Sequence, residues 1–537
     1  MTKLKWIFLL VALVATANAV NAQSDDDALR QKIHNAVIRV YDEQLTKEPG
    51  DFNTMFLRAN QYFNMGQYTE AMNDVNNALN LTPSNDNDLR FEELVLRARI
   101  YDAMGNYTSE IADLRGALAI NPSALNATDL LAKASLKTGD LATAEQGFQT
   151  IQRQSPMNYD ALYGMAQVEV KRNNYDAAVA YTDRAVQLFK AEPQVYINRA
   201  DILEQTHQYD AAAQDLITAI SINTEGNDAL PRLVSMSDRH YDAVVNALAS
   251  ASDKAPRVGM FYYVRSAIAM NHEHYGQALK DLRSIIDNKL YDFQSVYYNA
   301  ALCQFNLTQY DDALANVNKA IEMAPSEPDY YILKAAIERY RGRGNNYTTA
   351  LSCLDAADKA SPNYPSSLIA RAQMLIAQGN DKQALQYLNA AVQSDASNPD
   401  ALLLRGWLNK NRLGNTQAAN IDFESMLRGA DDDYTSLKGF ALHELGRDLE
   451  ARQWIEKITA NSLPGGDALF HAAALAGKMG DTAKGMEYLR AALGAGYGNR
   501  FEMTVNNDPC VNIAELRADA GFYNLLNDVQ TNFQERR

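Results

Sequence analysis

The chain has 537 residues, 47% of them hydrophobic and 22% charged, with 27 Gly, 14 Pro and a formal charge of −16. Gly and Pro together make up about 8% of the chain against roughly 12% in average usage, which excludes collagen-like and linker-like chains and disfavours a turn-dense all-β fold. No Lys/Arg-rich stretch interrupts the acidic balance, so neither a nucleic acid nor an anionic lipid surface is the expected partner.

Residues 1–22 read as an address. Lys3 and Lys5 precede an apolar run from Trp6 to Ala15, and small residues then offer cleavage after Ala19 or after Ala22. That is the form of a secretory signal peptide. The run is about ten residues, roughly half of what a bilayer-spanning helix needs, and no later stretch is long and apolar enough, so no membrane span is expected. The absence of a cysteine near the cleavage site argues against a bacterial lipoprotein. The expectation is export to a periplasmic or secreted location. Cys303, Cys353 and Cys510 are the only cysteines. This odd, sparse set makes no disulfide framework; buried small residues are the expected role, with a Cys303–Cys353 bridge as the alternative.

Residues 23–50 hold one amphipathic segment, Asp25 to Lys47, with Ile33, Val37, Val40, Tyr41 and Leu45 expected inward as an N-terminal cap. From residue 51 the chain becomes a ladder. A turn residue, often Gly, is followed two positions later by a rung, and Ala stands three after that. The rungs are Tyr68, Tyr107, Leu141, Tyr175, Tyr209, Tyr241, Tyr275, Tyr310, Tyr347, Asp381, Thr416, Asp448 and Thr482, at intervals of 32 to 39 residues, half of them 34. Each rung is preceded by one helical pattern and followed by another. In the first unit Met55, Ala59 and Tyr62 share one stripe, and Ala71, Val75 and Ala78 share the next. Ala three after the rung sits where two helices cross and a larger side chain would separate them. It stands at Ala71, Ala144, Ala178, Ala212, Ala278, Ala313, Ala350, Ala384, Ala419 and Ala451, with Glu110, Val244 and Gly485 as exceptions. Pro83, Pro122, Pro156, Pro325 and Pro362 end second helices, because Pro cannot continue one.

A repeating 34-residue helix–turn–helix of this pattern resembles the tetratricopeptide (TPR) repeat over residues 51–496. The large first-position Trp of the family is replaced by other apolar residues such as Leu162, Tyr262 and Leu402. The resemblance implies an all-α superhelix, a solenoid of about thirteen units with helical caps, since one hairpin cannot bury its apolar faces alone. Residues 497–537 are the C-terminal cap, with Leu516, Phe522, Leu525 and Leu526 as a closing lid. Two places depart from the period: the unit around Gly226 to Ser237 carries Pro231 and invites a bend near 226–240, and the turn at 341–346 is lengthened.

The resemblance also implies a concave groove lined by the first helix of each unit. It places Phe56 and Phe63, Tyr163, Tyr263 and Met270, Tyr298 and Phe305, Tyr340, and Trp407 on that face as partner-binding residues, with Asn60, Gln167, Gln373 and Lys410 among them. Rings supply contact area and amides supply adaptable hydrogen bonds to a peptide or helix. The stripe from Tyr263 to Tyr340 reads as an exposed recognition patch; the alternative is packing between neighbouring first helices. Arg339, Arg341 and Arg343 form a basic tip, which reads as a solvated long turn, with a docking contact for an acidic partner as the alternative. The Lys/Asn clamp by which some chaperone-binding members hold a C-terminal carboxylate is not matched, with Phe56 and Val95 at its positions.

No G-x-S-x-G, H-E-x-x-H or phosphate-loop motif occurs. His272 and His274 stand at i, i+2, a spacing that does not join two imidazoles on one helical face. Asp86-Asn87-Asp88 and Asp431-Asp432-Asp433 precede helices and read as caps. The expected function is that of a non-enzymatic, cofactor-free interaction scaffold of the cell envelope, holding a protein segment in its groove; the alternative is a glycan or small-ligand binder using the same aromatics.

Overall fold

The computed structural model describes residues 34–223, 228–341, 346–428, 435–460, 465–506 and 508–527. The segment 1–22, the bend region at 224–227, the tip residue Arg343 and the run Asp431-Asp432-Asp433 lie outside them. The fold is an all-α solenoid, with no strand among the described residues. Every rung of the sequence ladder is the first residue of a helix, from Tyr68–Leu81 to Thr482–Gly494. Thirteen antiparallel hairpins result. They divide into two compact units, one ending at Ala247 and the other beginning at Leu248.

The turn before each rung explains the ladder's regularity. The residue two before the rung adopts a left-handed backbone at Gly66, Gly105, Gly139, Gly379, Gly414, Gly446 and Gly480. At Gly139 (φ 84°) the first helix Leu125–Thr138 ends with the glycine N–H on the carbonyls of Ser135 and Leu136. Side chains resist this conformation, yet Asn173, His207, Glu273 and Thr308 hold it at the same place in their hairpins. Carboxylates and amides then start many helices: Asp51 accepts from the Thr54 N–H at 3.1 Å, and Asp86 accepts from that of Leu89 at 3.2 Å, as the sequence implies.

All ten alanines three after a rung are fully buried. The exceptions have local causes. Gly485 lies beneath the cap residue Leu516, whose Cδ2 would stand 2.7 Å from any added Cβ. Val244 faces a first helix of only nine residues, Ala229–Ser237. Glu110 is buried all the same.

Close helix crossings also fix two mid-helix glycines. A Cβ on Gly164 would lie 2.4 Å from the Phe148 ring, and one on Gly406 2.5 Å from Phe423. Both rings are fully buried, so neither can yield. Gly164→Ala and Gly406→Ala are each expected to cost about 1–3 kcal/mol despite alanine's better helix propensity. Urea denaturation measures this; a gain in stability would show that the crossings have slack.

A second repeat runs through the hairpins. An Arg ten residues before the rung grips an Asp six after it through two parallel bonds. Arg58 holds Asp74 at 2.6 and 2.8 Å, Arg97 holds Asp113 at 2.7 Å, and Arg199 holds Asp215 at 2.6 and 2.7 Å. In the second unit Arg265 holds Asp281 at 2.8 and 2.6 Å, and Arg405, one residue earlier in its frame, holds Asp422 at 2.9 and 2.6 Å. Each pair ties the two helices of one hairpin in a fixed orientation. At Arg371 the aspartate position is Tyr387, and the guanidinium lies over that ring at 5.4 Å while bonding Asp358.

The N-terminal helix, 34–47, sits on the first hairpin through Val37, Tyr41 and Leu45, and Asp42 bonds Arg58 at 2.6 Å. Val40, expected inward, is exposed; at about 100° per residue it stands roughly 100° from the middle of the Val37–Tyr41–Leu45 stripe, beyond its edge. At the C-terminal end Leu516, Phe522 and Leu525 are buried in one core with the last hairpins. The three cysteines are buried free thiols.

Candidate functional site

The first helices of the first unit carry Phe56 and Phe63 on Phe52–Asn64 and Tyr163 on Tyr159–Lys171, all half-buried. Their neighbours are polar bridges from one first helix to the next. The Arg99 guanidinium lies over the Phe63 ring at 4.6 Å, Lys137 bonds Asp102, and the Tyr163 hydroxyl donates to Asp201 at 2.5 Å. Burial, with the Asp201 charge beside it, pushes the Tyr163 phenol well above its ordinary value, so it remains a donor. Rings half open to solvent, two of them (Phe63 and Tyr163) braced by a charge, can take either an apolar or a polar side chain laid across them.

The second unit presents a different face. Tyr263, Met270, Tyr298 and Phe305 are only 7–8% exposed. Tyr298 stacks on Tyr330 with centroids 4.8 Å apart, and Asn299 donates to the Tyr263 hydroxyl at 3.4 Å. Over Phe305 and Tyr340 lies a third ring from far along the chain, Phe501, at 4.6 and 4.8 Å. It belongs to the short helix Arg500–Thr504. The same segment continues along the groove positions. Gln373 donates to Asp508 at 3.0 Å, Lys478 donates to the Pro509 carbonyl at 3.0 Å, and the Cys510 thiol lies 3.8 Å from the Leu403 carbonyl.

The segment enters at the end of the last hairpin. Tyr497 stacks on Phe470 with centroids 4.5 Å apart, and the Gly498 N–H donates to the carbonyl of Glu273 at 3.1 Å. Gly496 has φ 93°, and a Cβ there would fall 1.9 Å from His274 Nε2; only glycine passes. The turn His272-Glu273-His274 therefore serves as a landing for the C-terminal segment. Burial pushes the Glu502 carboxyl up to about 7, and burial also raises Asp508, although the N–H groups of Cys510 and Val511 donate to it at 2.8 and 2.9 Å.

The expected open patch from Tyr263 to Tyr340 is thus corrected: the rings are covered, partly by neighbouring first helices and partly by residues 497–510. Trp407 is half-buried beside the core of the last hairpins. At the expected basic tip, Arg341 is exposed and bonds Asp311 at 2.7 Å, and Arg339 lies over Tyr340 and Tyr347 at 4.8 and 5.7 Å. Among the described residues no group of three or more His, Cys, Asp or Glu side chains is placed to hold a metal ion, and no helix is long and apolar enough to cross a membrane. Sequence reasoning missed Phe501, Asp508 and Cys510 as groove residues. The signal was available: the period stops at Gly494 with more than forty residues left, and those residues contain aromatic anchors.

Family models described as tetratricopeptide repeat match residues 130–193, 163–227 and 335–408, and residues 52–85, 94–123 and 294–327. Together they cover just over half of the chain. No curated protein matches. Among solved structures, yeast Tom70 is 16% identical and has a TM-score of 0.34, over 77% of this chain and 98% of its own. The Naa15/Naa10 complex bound to HypK-THB gives 14% identity and a TM-score of 0.30 over 96% of both chains. A tetratricopeptide repeat protein from Parabacteroides merdae gives 14% and 0.29, over 53% of this chain and 98% of its own.

Proposed function

The chain belongs to the tetratricopeptide repeat family, and we propose that it is an exported, non-catalytic scaffold of the cell envelope that holds a protein segment on the first helices of its first unit. The family supports a protein-binding role in general. The basic start and short apolar run of residues 1–22 support export. The observation that carries the placement is the contrast between the two units: Phe56, Phe63 and Tyr163 are half open, while the corresponding rings of the second unit are covered by the chain itself. A preformed face lowers the ordering cost of binding, so a few ring contacts suffice.

The test is capture from the native envelope by crosslinking, comparing the wild-type chain with the Phe63→Ala, Tyr163→Ala double variant. Capture of the same partner should fall at least about tenfold, the loss expected for two aromatic anchors, while the melting temperature stays within about 2 °C. If melting temperature and capture fall together, the rings are structural and the partner lies elsewhere. A mature N-terminus at Val20 or Gln23 is the expected result for export; an intact Met1 end in the cytosol would remove the envelope assignment.

A further inference from the structure

The strongest unexplained feature is the path of residues 499–506 and 508–513. This stretch is anchored at one end by the Tyr497–Phe470 stack and at the other by Leu516, Phe522 and Leu525 in the terminal core. Between the anchors it holds to the groove mostly through side chains: the Phe501 ring in the Phe305–Tyr340 slot, Met503, Cys510 and Ile513 in the core of the last hairpins, the Asp508 carboxylate on Gln373 and the Cys510 thiol near Leu403, with the Pro509 carbonyl on Lys478 as a main-chain contact. Its regular structure is a single five-residue helix. That is how a bound peptide sits on a helical face. Its seat also half-buries two carboxylates, Glu502 and Asp508, at a desolvation cost that an apolar plug would not carry.

We propose that residues 499–513 are a resident ligand of the second unit's groove, a strap that gives way to a partner segment presenting an aromatic side chain and, seven residues later, a carboxylate, the spacing of Phe501 and Asp508. The strap is tethered at both ends, so it competes at high effective concentration, and the partner's apparent affinity is reduced by the fraction of chains with the strap seated. This inference is independent of binding on the first unit, because each unit has its own first-helix face.

Cys510 provides the readout, since it belongs to the strap and its thiol is turned in against the groove while the strap is seated, whereas Cys303 and Cys353 are buried in the array helices Gln294–Asn306 and Tyr347–Ala360 and serve as internal controls. The full-length chain is treated with N-ethylmaleimide and each cysteine is followed by mass spectrometry. The competitor is a fluorescent synthetic peptide of residues 496–513 carrying Cys510→Ser. In the wild-type chain, millimolar peptide should raise Cys510 labelling and leave Cys303 and Cys353 protected. Phe501→Ala should raise Cys510 labelling about a hundredfold or more, the factor a buried Phe→Ala change carries, and should bind the peptide at least tenfold more tightly than wild type. Three results overturn the proposal. Cys510 stays as protected as Cys303 when peptide is added and in the variant; the three cysteines become reactive together, which marks the strap as an inseparable part of the fold; or sedimentation shows that Cys510 protection needs a dimer, which places the strap in a second copy.

Discussion

Asp281→Ala is expected to destabilise the second unit by about 3–5 kcal/mol, the cost of leaving one partner of a buried ion pair alone. Arg265 and Asp281 are 8% and 1% exposed and share two bonds of 2.8 and 2.6 Å, so the stranded guanidinium has no route to bulk water. The same change at Asp74 should cost much less, because Arg58 is partly solvated and keeps its 2.6 Å contact with Asp42; pairs of that kind contribute about 1 kcal/mol or less. Replacing Arg265 by Met and Asp281 by Leu together should recover most of the loss, since removing both charges leaves no unpaired charge. Chemical denaturation of the three variants makes the comparison. Equal losses at positions 74 and 281 would mean that burial does not decide the value of the pair.

Glu110→Ala is expected to stabilise the chain, and by an amount that depends on pH. Glu110 stands three after its rung, where ten other hairpins have a buried alanine, and its Oε2 has no hydrogen-bond partner among the described residues. Burial, with Asp102 adding to it and Lys137 opposing, raises its carboxyl from 4.5 to about 7. The folded chain therefore holds this proton more tightly than the unfolded chain does. Stability from this group is highest below pH 4.5, falls as pH rises from 4.5 to 7, and is level above that. At about 1.4 kcal/mol per pH unit the whole fall is up to about 3 kcal/mol. The alanine variant should lose that slope, gaining about 2–3 kcal/mol over wild type at pH 8 and far less at pH 4.5. Urea midpoints at pH 4.5, 6 and 8 test it, and a gain that does not vary with pH would trace the effect to packing instead.

The ladder was legible because its cause is local. A left-handed turn, a rung and a small residue at the helix crossing recur within each hairpin, and a one-dimensional pattern can carry a one-dimensional stack. The Arg–Asp pairs were just as local, at spacings of 16 or 17 residues, but they emerge only when the hairpins are placed in register, and just five of the thirteen have them. The open or covered state of the groove was not legible. It depends on contact between Phe305 and Phe501, almost two hundred residues apart, and no period links them. Val40 illustrates the same gap on a small scale: apolarity told which side of the cap helix is covered, through Val37, Tyr41 and Leu45, but not where that stripe ends.

The glycine beneath Leu516 has a mechanical corollary. Where ten other hairpins carry a buried methyl at the helix crossing, the thirteenth leaves that space to Leu516 of the cap. A methyl restored at position 485 would push against that leucine, so the last hairpin holds its cap only by having no side chain there, and loosening would begin at that end of the array.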